Sequence, residues 1–296
     1  MNFIDRLHDA DPLVLDGAMG TELFRHLPDY RGCVELLNLE RPDVIERVYR
    51  AYASCGADII ETNSFGGSRL KLAEYGLAGR CREINRAAAQ LARSVAAPMG
   101  VFTAGSIGPS GRLAEPLGET RVDELYESFA EQARGLAEGG VDLFIIETMS
   151  DLLEAKTALR AAKDAADLPA IVSMTFEENG KTISGTGMLA ALASLAQAGA
   201  DAVGANCSMG PDGLVGLYRE HIGALRGIGA PLTVWANAGL PEIRDGRTFY
   251  SLSPERFAEL SAELAGLGIK IIGGCCGTTP DHICALKSRL KGLSGA

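Results

Sequence analysis

The sequence predicts an α/β protein folded as a single-domain (β/α)8 TIM barrel over residues 1–296. Three observations carry this expectation. Eight short apolar runs recur along the chain, helix-length segments separate them, and no low-complexity linker, charge block or composition break divides them. Near-continuous apolar strands alternating with helices are the mark of a parallel sheet covered on both faces. Eight such units in about 250–300 residues fit a closed barrel better than an open sheet.

The runs are residues 12–16, 58–63, 100–104, 142–148, 170–175, 201–207, 232–237 and 269–276, and most end in a polar or glycine-rich cluster. Between the first two, Arg41-Pro42-Asp43 opens a helix with proline near its first turn, and Val44, Val48, Tyr49 and Tyr52 supply its apolar face. Another helix starts near Arg121, with Leu125, Phe129, Ala133 and Leu136 on its apolar side. Three junctions, Cys55-Gly56-Ala57-Asp58, Gly139-Gly140-Val141-Asp142 and Ala198-Gly199-Ala200-Asp201, close a helix with glycine and enter a strand through aspartate.

Composition removes several classes of function. The 28 Lys+Arg against 38 Asp+Glu leave a net charge of −10, which gives no electrostatic footprint for nucleic acid or an anionic membrane. The longest charge-free stretches, 94–111 and 182–200, are interrupted by Gly, Ser, Thr or Pro, so neither is apolar enough to span a bilayer. The N-terminus lacks the apolar core of a signal peptide. Seven cysteines make an odd number in a chain too large to need disulfide staples, which points to a reducing compartment. A soluble, cytoplasmic protein is expected.

In such a barrel the reactive face lies at the carboxyl ends of the strands. The polar endings there are Asp16 with Gly17-Ala18-Met19-Gly20, Glu61-Thr62-Asn63, Gly105-Ser106, Glu147-Thr148, Asn206-Cys207-Ser208, Asn237, and Gly273-Gly274-Cys275-Cys276-Gly277. Three of the seven cysteines sit at two of these ends. Neighbouring side chains in a regular strand point to opposite faces, so Cys275 and Cys276 can share one metal only where the strand has ended. The flanking glycines permit that backbone. Three thiolates without a fourth protein sulfur match a zinc site that keeps one position open for substrate. The competing reading makes Cys207 a small core residue and the vicinal pair a packed turn. The four histidines lie away from strand ends, and His282 is the one nearest the vicinal pair.

Zinc held by three thiolates is a poor Lewis acid toward carbonyls, yet it can stabilise a fourth, substrate thiolate against protonation. The chemistry expected of Cys207, Cys275 and Cys276 through zinc is therefore thiol alkylation. Asp16 and Glu147, beside the same mouth, can accept hydrogen bonds from a substrate ammonium. Their structural alternatives are a helix cap near Gly20 for Asp16 and an ion pair inside the barrel for Glu147. The glycine-rich segments Gly17-Ala18-Met19-Gly20 and Gly105-Ser106-Ile107-Gly108-Pro109 read as turns whose amides could hold a carboxylate, which adds Ser106 to the candidates.

Asp16-Gly17-Ala18-Met19-Gly20-Thr21, Glu61-Thr62-Asn63-Ser64-Phe65, Gly204-Ala205-Asn206-Cys207-Ser208 and Gly273-Gly274-Cys275-Cys276-Gly277-Thr278-Thr279-Pro280 resemble the homocysteine S-methyltransferase family. The likeness runs over nearly the whole chain. It implies a (β/α)8 barrel, zinc on Cys207, Cys275 and Cys276, homocysteine bound through its sulfur, and substrate-amine contacts on Asp16 and Glu147. Asn237 joins the substrate-binding set as an oxygen donor to zinc when substrate is absent. Gly277 stands where relatives using S-methylmethionine would carry Arg, and Gly66 where betaine-using relatives would carry Tyr. A lone Trp235 and few aromatics at the mouth also argue against a cation–π cage.

With Leu37-Asn38-Leu39-Glu40-Arg41-Pro42-Asp43 included, the chain is similar to the homocysteine-binding modules of cobalamin-dependent methionine synthases. The implied reaction makes methionine from homocysteine with methylcobalamin as donor, not bound stably by this chain. Because the chain stops at Ala296, the donor is expected from a separate corrinoid protein or from the rest of a longer one. Two alternatives stay open: a small onium donor (betaine or S-methylmethionine), or a zinc subunit that binds homocysteine and acts only within a larger methionine synthase complex. A barrel lyase or aldolase is disfavoured, since no Lys sits at a strand end to form a Schiff base.

Overall fold

The computed structural model describes residues 2–244 and 247–294. Its eight parallel barrel strands are β1 (Leu13–Val14), β2 (Ile59–Glu61), β3 (Phe102–Ile107), β4 (Leu143–Met149), β5 (Ala170–Met174), β6 (Ala202–Asn206), β7 (Leu232–Ala236) and, after a hairpin of β8 (Glu242–Arg244) and β9 (Arg247–Phe249), β10 (Ile271–Gly274). They neighbour one another in the order β1-β10-β7-β6-β5-β4-β3-β2. A parallel bridge from Leu15 to Ile59 closes the ring between β1 and β2. Every apolar run read from the sequence is a barrel strand. The hairpin was not anticipated.

Alternation sorts each strand between two environments. Leu13, Leu15, Ile59, Ala104, Leu143, Ile145, Ile171, Ala202, Trp235 and Ile271 pack inside the barrel. Their neighbours Val14, Ile60, Phe144, Ile146, Val172, Val203, Val234 and Ile272 belong to the core shared with the helices. The floor is stoppered by the helix Phe3–Leu7, whose Phe3 and Leu7 join the inner cluster. Carrying the alternation upward, the next inner positions are polar: Glu61, Ser106, Glu147, Ser173, Asn206 and Asn237. The barrel is therefore mainly apolar below and polar above.

The helices Pro42–Ser54 and Val122–Gly139 bury the apolar faces expected of them. The three glycine-to-aspartate junctions share one construction at the floor. Gly56, Gly140 and Gly199 take left-handed backbone, with φ of 85°, 91° and 98°. Asp58 Oδ2 then accepts from the Val14 amide (2.8 Å) and from Lys287 Nζ (2.6 Å). Asp142 accepts from the Thr103 amide (2.8 Å) and pairs with Arg93 (3.4 Å). Asp201 accepts from the Ala170 amide (2.8 Å) and from Lys163 (2.6 Å).

One expectation needs correcting. Cys55 and Cys284 are joined as a disulfide, because the helices Pro42–Ser54 and Pro280–Ser294 pack together and bring the two Cα atoms to 4.4 Å. A count of cysteines could not find a pair 229 residues apart. No helix among the described residues is long and apolar enough to cross a membrane.

Candidate metal and substrate site

β6 ends at Asn206 and β10 at Gly274, so the three candidate ligands all lie just past a strand end. Cys207 and Ser208 adopt left-handed backbone with φ of 62° and 54°, a conformation costly for residues bearing a Cβ. It is held by the Cys207 amide donating to Trp235 O (3.1 Å) and by Ser208 Oγ donating to Phe176 O (2.6 Å). On the other side the Cys275 amide donates to Ala236 O (2.7 Å), and Thr278 Oγ1 donates to Cys275 O (2.7 Å). The chain thus leaves the strand at Cys275, and both vicinal sulfurs reach one point.

The sulfurs of Cys207, Cys275 and Cys276 lie within 4.8 Å of one another, and Cys207 and Cys276 are 3.9 Å apart. Tetrahedral zinc with Zn–S bonds of about 2.3 Å places its sulfurs about 3.8 Å apart, so the cluster fits that ion. Among the described residues no fourth Cys, His, Asp or Glu joins it. His282 is spent elsewhere. Its Nδ1 accepts from the Thr279 amide (3.2 Å), its Nε2 meets Leu252 O (3.0 Å), and burial lowers its pKa.

The three thiols are pushed apart in acidity. Hydrogen bonds from Cys275 and Cys276 bring Cys207 down to about 3, whereas Cys276 is pushed up to about 11 and Cys275 is raised well above its usual value. The Asn237 side chain also hydrogen-bonds Cys207, and its Oδ1 is buried without a partner. The Tyr250 side chain hydrogen-bonds Cys276, a contact the sequence gave no sign of. Gly277, with φ of 79°, leaves the space that the Tyr250 ring fills: a Cβ there would lie 2.1 Å from it.

A second group of side chains faces the same mouth. Asp16 caps no helix, since Met19–His26 begins at Ala18 without a side-chain cap. Instead its Oδ2 accepts from the Glu61 amide (3.1 Å), and its Oδ1 is buried and unpartnered. Glu147 stands where the β4–β5 register shifts between Ile146 and Met149, beside Thr148 at a φ of 58°. Asn206 braces that irregularity by accepting from the Thr148 amide (2.9 Å) and donating to Thr148 Oγ1 (2.8 Å).

Ser106 lies within β3 and not in a turn. Its amide donates to Thr62 Oγ1 (3.0 Å), and its hydroxyl donates to Glu147 Oε1 (2.6 Å). Burial pushes Asp16 and Glu61 well above the usual carboxyl range. Glu147 is raised less, because hydrogen bonds from Ser106 and Glu61 favour its charged form. Among the described residues neither Asp16 nor Glu147 has an ion-pair partner, so the ion pair considered for Glu147 is not formed. Asn206 Nδ2 lies 3.5 Å from Glu147 Oε2 and 3.8 Å from Cys275 Sγ, which ties the carboxyl group of residues to the sulfur cluster.

A family model described as homocysteine S-methyltransferase matches residues 13–290. The methionine synthases of Mycobacterium leprae and Mycobacterium tuberculosis are each 37% identical to the chain over 289 residues, covering 92% of it and 24% of their own length. The chain thus spans about a quarter of those relatives. The crystal structure of the homocysteine methyltransferase MmuM from Escherichia coli, in its metallated form, superposes with a TM-score of 0.78 at 25% identity, covering 94% of this chain and 96% of that one. On the match that spans the barrel from its first strand into its last helix, the chain belongs to the homocysteine S-methyltransferase family.

Proposed function

We propose that this barrel, over residues 1–296, methylates the sulfur of homocysteine to give methionine. The observation that carries the reading is one barrel mouth with two unlike sides, three sulfurs on one and buried carboxyls without a cation on the other. Homocysteine has the matching pair of groups, a thiol and an ammonium a few bonds apart. Cys207, Cys275 and Cys276 would hold zinc, and the unpartnered Asn237 Oδ1 is the candidate oxygen donor beside them. Zinc, when bound, supplies the positive charge that keeps a substrate sulfur deprotonated at neutral pH.

The chain's own residues supply binding and aim. Glu147, oriented by Ser106, and Asp16, oriented by the Glu61 amide, accept hydrogen bonds from the ammonium. Holding that end fixes where the substrate sulfur sits, so its lone pair faces the donor's methyl carbon in line with the departing bond. Methyl transfer moves no proton at carbon, and none of these carboxyls is asked to act as a general acid.

The favoured donor is a methylated corrinoid such as methylcobalamin, carried by a separate protein or module. Two observations support it over a small onium compound. A Cβ at Gly277 would lie 2.1 Å from the Tyr250 ring, so that position has no room for a side chain that cages a cation, and one at Gly66 would have to displace the Glu35 carboxyl at 2.6 Å. Phe65, Leu117, Ile183, Leu240 and Ile243 are exposed on segments that follow β2, β3, β5 and β7, giving the mouth an apolar rim suited to a broad partner.

Methionine formation by zinc-loaded protein, with methylcobalamin, betaine and S-methylmethionine tried in parallel, tests the reading. Turnover is expected with methylcobalamin alone. Turnover with either onium donor would overturn the donor assignment. Tight zinc and homocysteine binding without turnover on any donor would favour a subunit that acts only inside a larger complex.

A further inference from the structure

Beside Asp16 and Glu147 stands a third acid with no role so far. Glu61 is the last residue of β2, on the inner face two positions above Ile59. Its amide binds Asp16, its carboxyl hydrogen-bonds that of Glu147, and its Oε1 is buried without a partner. Asp16 Oδ1 is also buried and unpartnered nearby, and the Trp235 side chain hydrogen-bonds Glu147. Among the described residues the neighbouring titratable groups are all acidic or neutral. They are Asp16 after β1, Glu147 on β4, Cys207 after β6 acting on Glu147, and Tyr49 and Tyr52 of the helix Pro42–Ser54 beside Asp16. Three carboxyls packed together away from any cation cannot all be ionised.

We infer that Glu61 is a third member of the ammonium pocket: in the empty site it holds a proton against Glu147, and it releases that proton when a substrate amine enters. This rests on the homocysteine reading above and extends it to a residue and a proton that nothing else assigns. The exchange balances. The amine arrives as an ammonium, the Glu61 O–H bond breaks, its proton leaves to solvent, and the new carboxylate accepts an N–H hydrogen bond. A neutral acid donating to Glu147 suits the empty pocket, and a carboxylate suits the occupied one. Burial raises the proton affinity of Glu61 above that of Glu147, which the hydrogen bonds from Ser106 and Glu61 itself keep lower.

Calorimetry of ligand binding in buffers of different ionisation enthalpy counts the protons released. The probe is L-norleucine, which has the ammonium but no thiol, so no metal-linked proton enters the count. Zinc-loaded wild-type protein is expected to release about one proton per norleucine at neutral pH. Hexanoate, which lacks the amine, is expected to release none. Glu61→Gln keeps a donor toward Glu147 but has no proton to lose. It is expected to bind norleucine about tenfold more weakly and without proton release, with zinc content and melting temperature unchanged.

Norleucine binding by the wild type without proton release would overturn the inference while leaving homocysteine binding intact. So would undiminished proton release from folded Glu61→Gln. Failure of the wild type to bind either homocysteine or norleucine would overturn the function reading, and this inference with it. If Glu61→Gln does not fold, the wild-type counts with norleucine and hexanoate still decide.

Discussion

The two ends of the barrel use the same residue types under opposite rules. At the floor, Asp58, Asp142 and Asp201 each accept a strand amide and meet a cation from a helix, so their charges are satisfied within the protein. At the mouth, Asp16, Glu61 and Glu147 are more deeply buried yet face no cation, and two of them carry an oxygen with no partner. Burying a charge without a counterion is costly, and a fold retains such a group where a ligand completes it. What separates the acids of the floor from those of the mouth is the partner the chain withholds.

The sharpest way to break this contrast is at the sulfur side of the mouth. Cys207→Ala should lose zinc and lower activity by more than about a thousandfold while the circular dichroism spectrum stays native; full activity in that variant would end the metal reading. Zinc binding should also weaken steeply in acid. With Cys207 held low and Cys275 and Cys276 held high, the latter two should each give up a proton to the solvent on binding, so affinity is expected to fall about a hundredfold for each pH unit lost near neutrality. A flat competition titration against a chelator between mildly acidic and neutral pH would contradict that proton count.

Glu147→Gln should weaken homocysteine binding about a hundredfold with zinc content unchanged, as measured by calorimetry beside metal analysis. Tyr250→Phe removes a hydrogen bond to Cys276 and should shift zinc affinity about tenfold, leaving homocysteine recognition by the carboxyls alone. The smallest effect belongs to the floor. Asp201→Ala should cost about 1 kcal/mol of folding stability, because it leaves the Ala170 amide without its acceptor, while the ion pair to Lys163 adds little at a part-exposed site. Homocysteine affinity should not move. A floor variant that altered substrate binding would dissolve the distinction between the two ends.

Much of this was readable in the sequence because a parallel barrel writes itself plainly. Strands buried on both faces are continuous apolar runs, and the glycine-to-aspartate junctions mark where three of them begin. The three candidate ligand cysteines were legible because they close such runs. What escaped depends on contacts between distant segments. The hairpin β8–β9 escaped because each of its strands is only three residues long and carries no core pattern. Ser106 looked like part of a glycine-rich turn, yet Gly105 packs against Leu136 and Phe144 within β3, where its lack of a side chain serves close packing. Glu61 showed as a strand ending, but only the closed ring sets it against Glu147. Tyr250 lies too far along the chain from Cys276 for spacing to connect them.

The Tyr250–Gly277 contact has an evolutionary consequence. The ring at 250 occupies the volume that any side chain at 277 would need, so the two positions exclude one another. A single substitution at 277 would collide before it could acquire a use, whereas loss of the aromatic at 250 first would open the path. Descendants of this barrel that change what they accept at the mouth are therefore expected to change both positions together, and an engineer retuning it should build libraries in pairs.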